Sequence, residues 1–107
     1  MSSRAQERSA GRSTNVRTET FNLVSSYTVG GDVYTSAIFR DIDRVTELGW
    51  SRQGLRSLVV TGSVTGNRFR VQFFRATGVD SVGRFTGEVA SATDLSTDAF
   101  TVLIEGS

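Results

Sequence analysis

Two apolar runs, SLVVTGSV at residues 57–64 and RFRVQFFR at residues 68–75, stand on either side of Thr65-Gly66-Asn67. A short loop with Gly and Asn between runs rich in β-branched and aromatic residues specifies a β-hairpin. Such a turn needs residues that tolerate positive φ, and it fixes which positions oppose each other. Side chains alternate across a strand, so Phe69, Val71 and Phe73 share an inward face while Arg68, Arg70 and Gln72 take the other. On the first strand the same alternation puts Leu58, Val60 and Val64 inward and Val59 outward. Phe74 interrupts the polar face of the second strand. A domain that contains this hairpin must cover its apolar face with further elements.

Three other segments have strand character. Phe21 and Leu23 lie on one face of the run that begins near Val16, with Thr18, Thr20 and Asn22 on the other. FTGEVA at residues 85–90 turns Phe85 and Val89 inward, and AFTVLI at residues 99–104 turns Phe100, Val102 and Ile104 inward and Leu103 outward. Gly30-Gly31-Asp32 breaks the chain after the first of these strands. In TSAIFRDIDRVTELG, residues 35–49, the apolar positions Ile38, Phe39, Ile42, Val45 and Leu48 form a stripe at helical spacing. Ser36 can cap the start of such a helix and Gly49 can end it. The fold predicted is α+β: a curved antiparallel β-sheet of about five strands with one helix packed on it. The alternative is an all-β barrel or sandwich in which residues 33–45 are extended. Both place Ile38, Phe39, Ile42, Phe69, Val71, Phe73 and Phe100 at or near the core.

A chain of 107 residues holds one such domain. The division expected is a flexible, arginine-bearing N-terminal tail over residues 1–15 and a single β-rich domain over residues 16–107. The tail has no apolar periodicity with which to offset its ordering entropy. Arg4, Arg8, Arg12 and Arg17 against Glu7 give the first seventeen residues a net charge of +3; the remaining eight arginines face ten carboxylates, a net of −2. The chain is thus a basic tail on a slightly acidic body. No apolar stretch of signal-peptide or membrane-spanning kind is present, so the expected location is cytoplasmic or within an assembly.

Histidine, cysteine, proline and lysine do not occur. Triads built on histidine or cysteine, Schiff-base chemistry, a lysine-bearing phosphate loop and zinc held by histidine or cysteine are therefore excluded. The acidic groups Asp41/Asp43/Glu47 and Asp94/Asp98 lack calcium-loop spacing, and Arg40 and Arg44 lie beside the first. Tyr27 and Tyr34 flank the Gly30-Gly31 loop, as anchors beside a turn rather than as a ligand clamp. No enzyme activity, metal or cofactor is expected.

The remaining residues suggest two kinds of partner. Val59, Phe74 and Leu103, turned away from the expected core, are candidates for covering by a second subunit, which predicts a self-assembling structural protein and a homo-oligomer. The alternative is a nucleic-acid-binding module. Its candidates are Arg4, Arg8, Arg12 and Arg17 in and beside the tail, and Arg68, Arg70 and Arg75 on one strand, with Trp50 and Phe74 as nearby aromatics.

Overall fold

The structure, a computed structural model, describes residues 15–48, 50–75 and 87–107. Residues 1–14 of the predicted tail, with Arg4, Arg8 and Arg12, and also Gly49 and Phe85, lie outside the described residues; Asn15, the last residue assigned to the tail, is the first of a strand. Six strands are arranged along the chain: β1 (Asn15–Asn22), β2 (Asp32–Thr35), β3 (Ile42–Glu47), β4 (Arg56–Val59), β5 (Arg68–Phe74) and β6 (Ala99–Gly106). They form two three-stranded antiparallel sheets, β1-β6-β3 and β2-β5-β4. The inner face of the first sheet carries Phe21, Phe100, Val102 and Ile104; that of the second carries Tyr34, Phe69, Val71 and Phe73. The two faces meet through aromatic rings, with Tyr34 and Phe100 at 5.0 Å and Phe73 and Phe100 at 5.1 Å between centroids. These edge-on contacts suit the ring quadrupoles and close the core between the sheets.

No helix occurs among the described residues, so the α+β expectation is overturned: the molecule is all-β, and its sheets do not close into a barrel. The segment read as a helix is a turn that leads into β3. Ser36 does accept the N–H groups of Ile38 and Phe39, as a helix cap would. The chain then departs from helical geometry, because Arg40 and Asp41 donate to the carbonyl of Ser107. Ile38, placed in the core by the stripe, is 53% exposed.

The helical spacing has a physical origin in the strand itself. Ile42 pairs with Gly106 and Arg44 with Glu105, so Asp43 is an extra residue in β3, a β-bulge. One inserted residue shifts the alternation, and Ile42 and Val45 both face inward although three positions apart. The β-branched Ile42, Val45 and Thr46 favour the extended form. Gly106 is required where β6 passes this bulge, because a Cβ there would collide with the backbone of Asp41 and Ile42.

The hairpin strands pair as β4 and β5, but the expected faces of β4 are reversed. A Thr65–Arg68 bridge closes the turn at Gly66-Asn67, and extending that register would set Val60 opposite Phe73. Instead Ser57 opposes Phe73, Val59 opposes Val71, and Val60 donates to the carbonyl of Arg70. Residues 61–64 are extruded as a second turn in which Ser63 donates to the carbonyl of Val60. The resulting slip is odd, and an odd slip moves every side chain to the opposite face. Val59 therefore packs against the core rather than facing out. The strand read at residues 85–90 is, among the described residues, a single Phe74–Glu88 bridge beside the buried Val89.

Polar groups tie the sheets together. Asp98, buried before β6, accepts from the Ser51 hydroxyl at 2.6 Å and from the N–H groups of Gln53 and Ala99 at 3.0 and 2.7 Å. The carboxylate of Glu47 in β3 accepts the N–H of Val59 in β4, which bridges one edge of each sheet.

Candidate functional site

The outer faces of the two sheets lie on opposite sides of the molecule and differ in chemistry. On the first sheet the register sets Val16, Glu105 and Arg44 in one row and Thr18, Leu103 and Thr46 in the next. Thr20 and Thr101 stand in the row beyond, their hydroxyls 2.8 Å apart. Past the end of β3, Leu48 is 50% exposed and Trp50 is 53% exposed. Among the described residues this face beyond the Glu105–Arg44 row carries threonine, leucine and tryptophan, with Arg52 and the Arg56 guanidinium at its Trp50 end, where the two sheets adjoin. A shallow cleft of about 390 Å³ lies where Leu48, Trp50 and Arg52 meet Thr20 and Thr101. Threonine and β-branched residues on a flat strand face suit packing against another sheet.

The outer face of the second sheet is basic. Arg68 opposes Thr35, Arg70 opposes Val33, and Arg56 opposes Phe74. The guanidinium of Arg56 sits 5.5 Å over the Trp50 ring, a cation–π contact. Arg70 directs one N–H to the carbonyl of Gly31 at 2.7 Å. Gly31 itself has φ +104 and approaches Val71 too closely for any side chain.

The predicted site residues are therefore dispersed. Arg68 and Arg70 share a face, joined by Arg56, and Arg75 lies exposed just past the end of β5. Arg17 lies on the other sheet. Of the three assembly candidates, Leu103 lies on the outer face of the first sheet, in the first uncharged row beside Glu105 and Arg44. Val59 is on an inner face. Phe74 is on the basic face but only 8% exposed. Val16, Leu48 and the threonine rows of the first sheet were not singled out by sequence; the alternation of threonine in VRTET and FTVL was their only signal.

The two tyrosines are buried. Tyr27 donates to Glu88 at 2.7 Å and accepts the N–H of Phe73 at 3.0 Å, while Gly30 donates to the same carboxylate oxygen. Burial first, and the bond to Glu88 second, push the Tyr27 phenol well above its usual range. Burial does the same for Tyr34, aided by the charge of Asp32. Neither ring is available to clamp a ligand.

Among the described residues no group of three or more acidic side chains is placed to hold a metal ion, and no helix is long and apolar enough to cross a membrane. Comparison of the chain with protein-family models, with curated proteins and with solved structures finds no match.

Proposed function

We propose that this chain is a non-catalytic structural subunit that acts by self-assembly, as a homo-oligomer. The observation that carries this reading is the outer face of the first sheet, where Thr18, Thr46 and Thr101 flank Leu103 on three sides, Glu105 lies on the fourth, and Val16, Leu48 and Trp50 are about half exposed. A contiguous face of this composition gains free energy when a second protein surface removes it from water. A closed symmetric oligomer is the expected form. Sedimentation velocity across the micromolar range at physiological salt tests it; a monomeric mass throughout overturns it.

A second reading, a nucleic-acid-binding module, is favoured by the second sheet, where Arg56, Arg68 and Arg70 share one face and Trp50 lies under Arg56. Guanidinium groups spaced along a strand match a phosphate backbone, and an exposed indole offers a stacking surface. Binding of a fluorescent single strand that falls steeply with salt, and falls further on Arg68→Ala/Arg70→Ala, supports it. Absence of binding at low salt removes it.

A further inference from the structure

We propose that β1 pairs antiparallel with β1 of a second copy of this chain, about a two-fold axis at Thr18, so that two three-stranded sheets become one continuous sheet of six strands. This rests on the self-assembly reading and adds to it a contact at the edge of the first sheet, distinct from the covering of that sheet's outer face.

The geometry points to β1 by elimination. β1 is an edge strand of eight residues whose backbone, among the described residues, pairs only with that of β6. An edge of this kind presents a row of unpaired N–H and C=O groups. The other edges are compromised. β3 is bent by the Asp43 bulge and held to β4 through Glu47 and Val59. β2 and β4 are only four residues each. β1 contains neither proline nor a bulge and pairs without interruption from Asn15 to Asn22.

Its sequence then selects one register. A two-fold axis that keeps both inner faces on the same side must set a residue against its own copy, because opposed residues in an antiparallel pair share a face. Centring on Arg17 opposes two arginines, and centring on Glu19 opposes two glutamates; like charges directly opposite are unfavourable. Centring on Thr18 places Arg17 against the partner's Glu19 on both sides of the axis. On the outer face it sets Thr18 against Thr18 of the partner subunit and Val16 against the partner's Thr20, which continues the uncharged surface across the junction.

The side chains are poised for this. Glu19 is held at the edge by the Ser36 hydroxyl at 2.7 Å and the Ala37 N–H at 2.8 Å, one on each carboxylate oxygen, and each oxygen retains a further acceptor site. Arg17 is exposed, with one N–H on its neighbour's carbonyl and, among the described residues, no other side chain on the rest of its fork. Inward charges of a single sign guard an edge against pairing. Alternating signs two residues apart instead admit one partner in one register.

The chain has no cysteine, so Thr18→Cys supplies a unique reporter. At the axis the opposed Cα atoms would sit about 4.5–5.5 Å apart, within disulfide range. Mild oxidation should link Thr18→Cys into a covalent dimer, while Thr46→Cys, on the far strand of the same sheet, stays unlinked. Arg17→Glu alone and Glu19→Arg alone should each weaken dimerisation by about tenfold or more. Mixing the two single variants should restore it, since each then faces charges of opposite sign; the regained dimer also shows that both variants are folded. A wild-type protein monomeric throughout the micromolar range defeats both this inference and the self-assembly reading. An oligomer that neither cross-links at Thr18→Cys nor responds to Arg17→Glu defeats the edge pairing alone.

Discussion

Replacing Asp98 with alanine should be the most damaging single polar substitution in this domain. The carboxylate is buried and receives three donors: the Ser51 hydroxyl on one oxygen, and the Gln53 and Ala99 N–H groups on the other. Hydrogen bonds to a charged acceptor contribute about 1.5–3 kcal/mol each, and the cost of removing the acceptor falls on buried donors that water cannot reach. Gln53 is exposed and can be rehydrated, but Ser51 and Ala99 are buried. Two orphaned donors put the loss at about 3–5 kcal/mol, which for a domain of this size lowers the melting temperature by roughly 12–30 °C. Asp98→Asn keeps an oxygen for both N–H groups and turns its amide toward Ser51 Oγ. It should cost only about 1–2 kcal/mol. Trp50, the sole tryptophan and adjacent in sequence to Ser51, reports the transition in urea by fluorescence. Circular dichroism should give the same midpoint, with the slope unchanged. If Asp98→Ala lies within about 1 kcal/mol of wild type, the carboxylate is not holding the 51–55 turn to β6, and the reasoning fails.

Tyr34→Phe should leave stability unchanged or raise it by about 1 kcal/mol, because the Tyr34 hydroxyl is buried with no hydrogen-bond partner among the described residues; a clear loss in urea denaturation would show that the hydroxyl is satisfied. Gly106→Ala should destabilise by about 1–3 kcal/mol, since the new Cβ meets the backbone at Asp41 and Ile42, and an unchanged melting temperature would contradict that approach. Both tyrosines have folded-state pKa values raised above the unfolded value, so their contribution is fully present below about pH 10 and is lost as pH rises beyond it, where the unfolded chain ionises and the native one does not. Phenolate absorbance should therefore appear together with unfolding; phenolate formation in the still-folded protein would refute this.

The parts of the fold legible in the sequence are those where alternation runs uninterrupted. β5 and β6 contribute Phe69, Val71, Phe73, Phe100, Val102 and Ile104 to the core as their patterns require, and β1 carries its threonines outward. The two misread segments share one cause: an odd number of extra residues in a strand pair. Asp43 turns a period of two into an apparent period of three, which resembles a helix. The extruded residues 61–64 leave the hairpin's turn intact yet invert the faces of β4. Neither insertion has a residue-level marker here, because both depend on which register buries more surface across the sheet. The candidate surfaces were legible only in part for a related reason. Arg68 and Arg70 could be paired by alternation alone. The meaning of Arg17 and Glu19 depends on β1 lying at an edge, and strand order is a property of the whole topology.

The two proposed roles are physically compatible, and their coupling can be measured. The uncharged face and the β1 edge belong to the first sheet, whereas Arg56, Arg68 and Arg70 project from the second, on the opposite side of the molecule. Pairing through β1 about a two-fold axis normal to the sheet leaves both arginine faces uncovered and pointing the same way. A single face offers a polyanion only a few phosphate contacts, so a monomer should bind weakly and with a shallow salt dependence. Two faces held on one rigid sheet make the second contact intramolecular, and avidity of this kind can raise affinity by about a hundredfold without any new interaction. Arg17→Glu should thus reduce affinity for a long single strand well beyond the loss of one charge, and mixing it with Glu19→Arg should recover most of that affinity. For a strand too short to span two subunits, the variant and the wild type should bind almost alike. Equal binding of the long strand by both would separate the arginine face from assembly, and leave the first sheet as the only surface with a role.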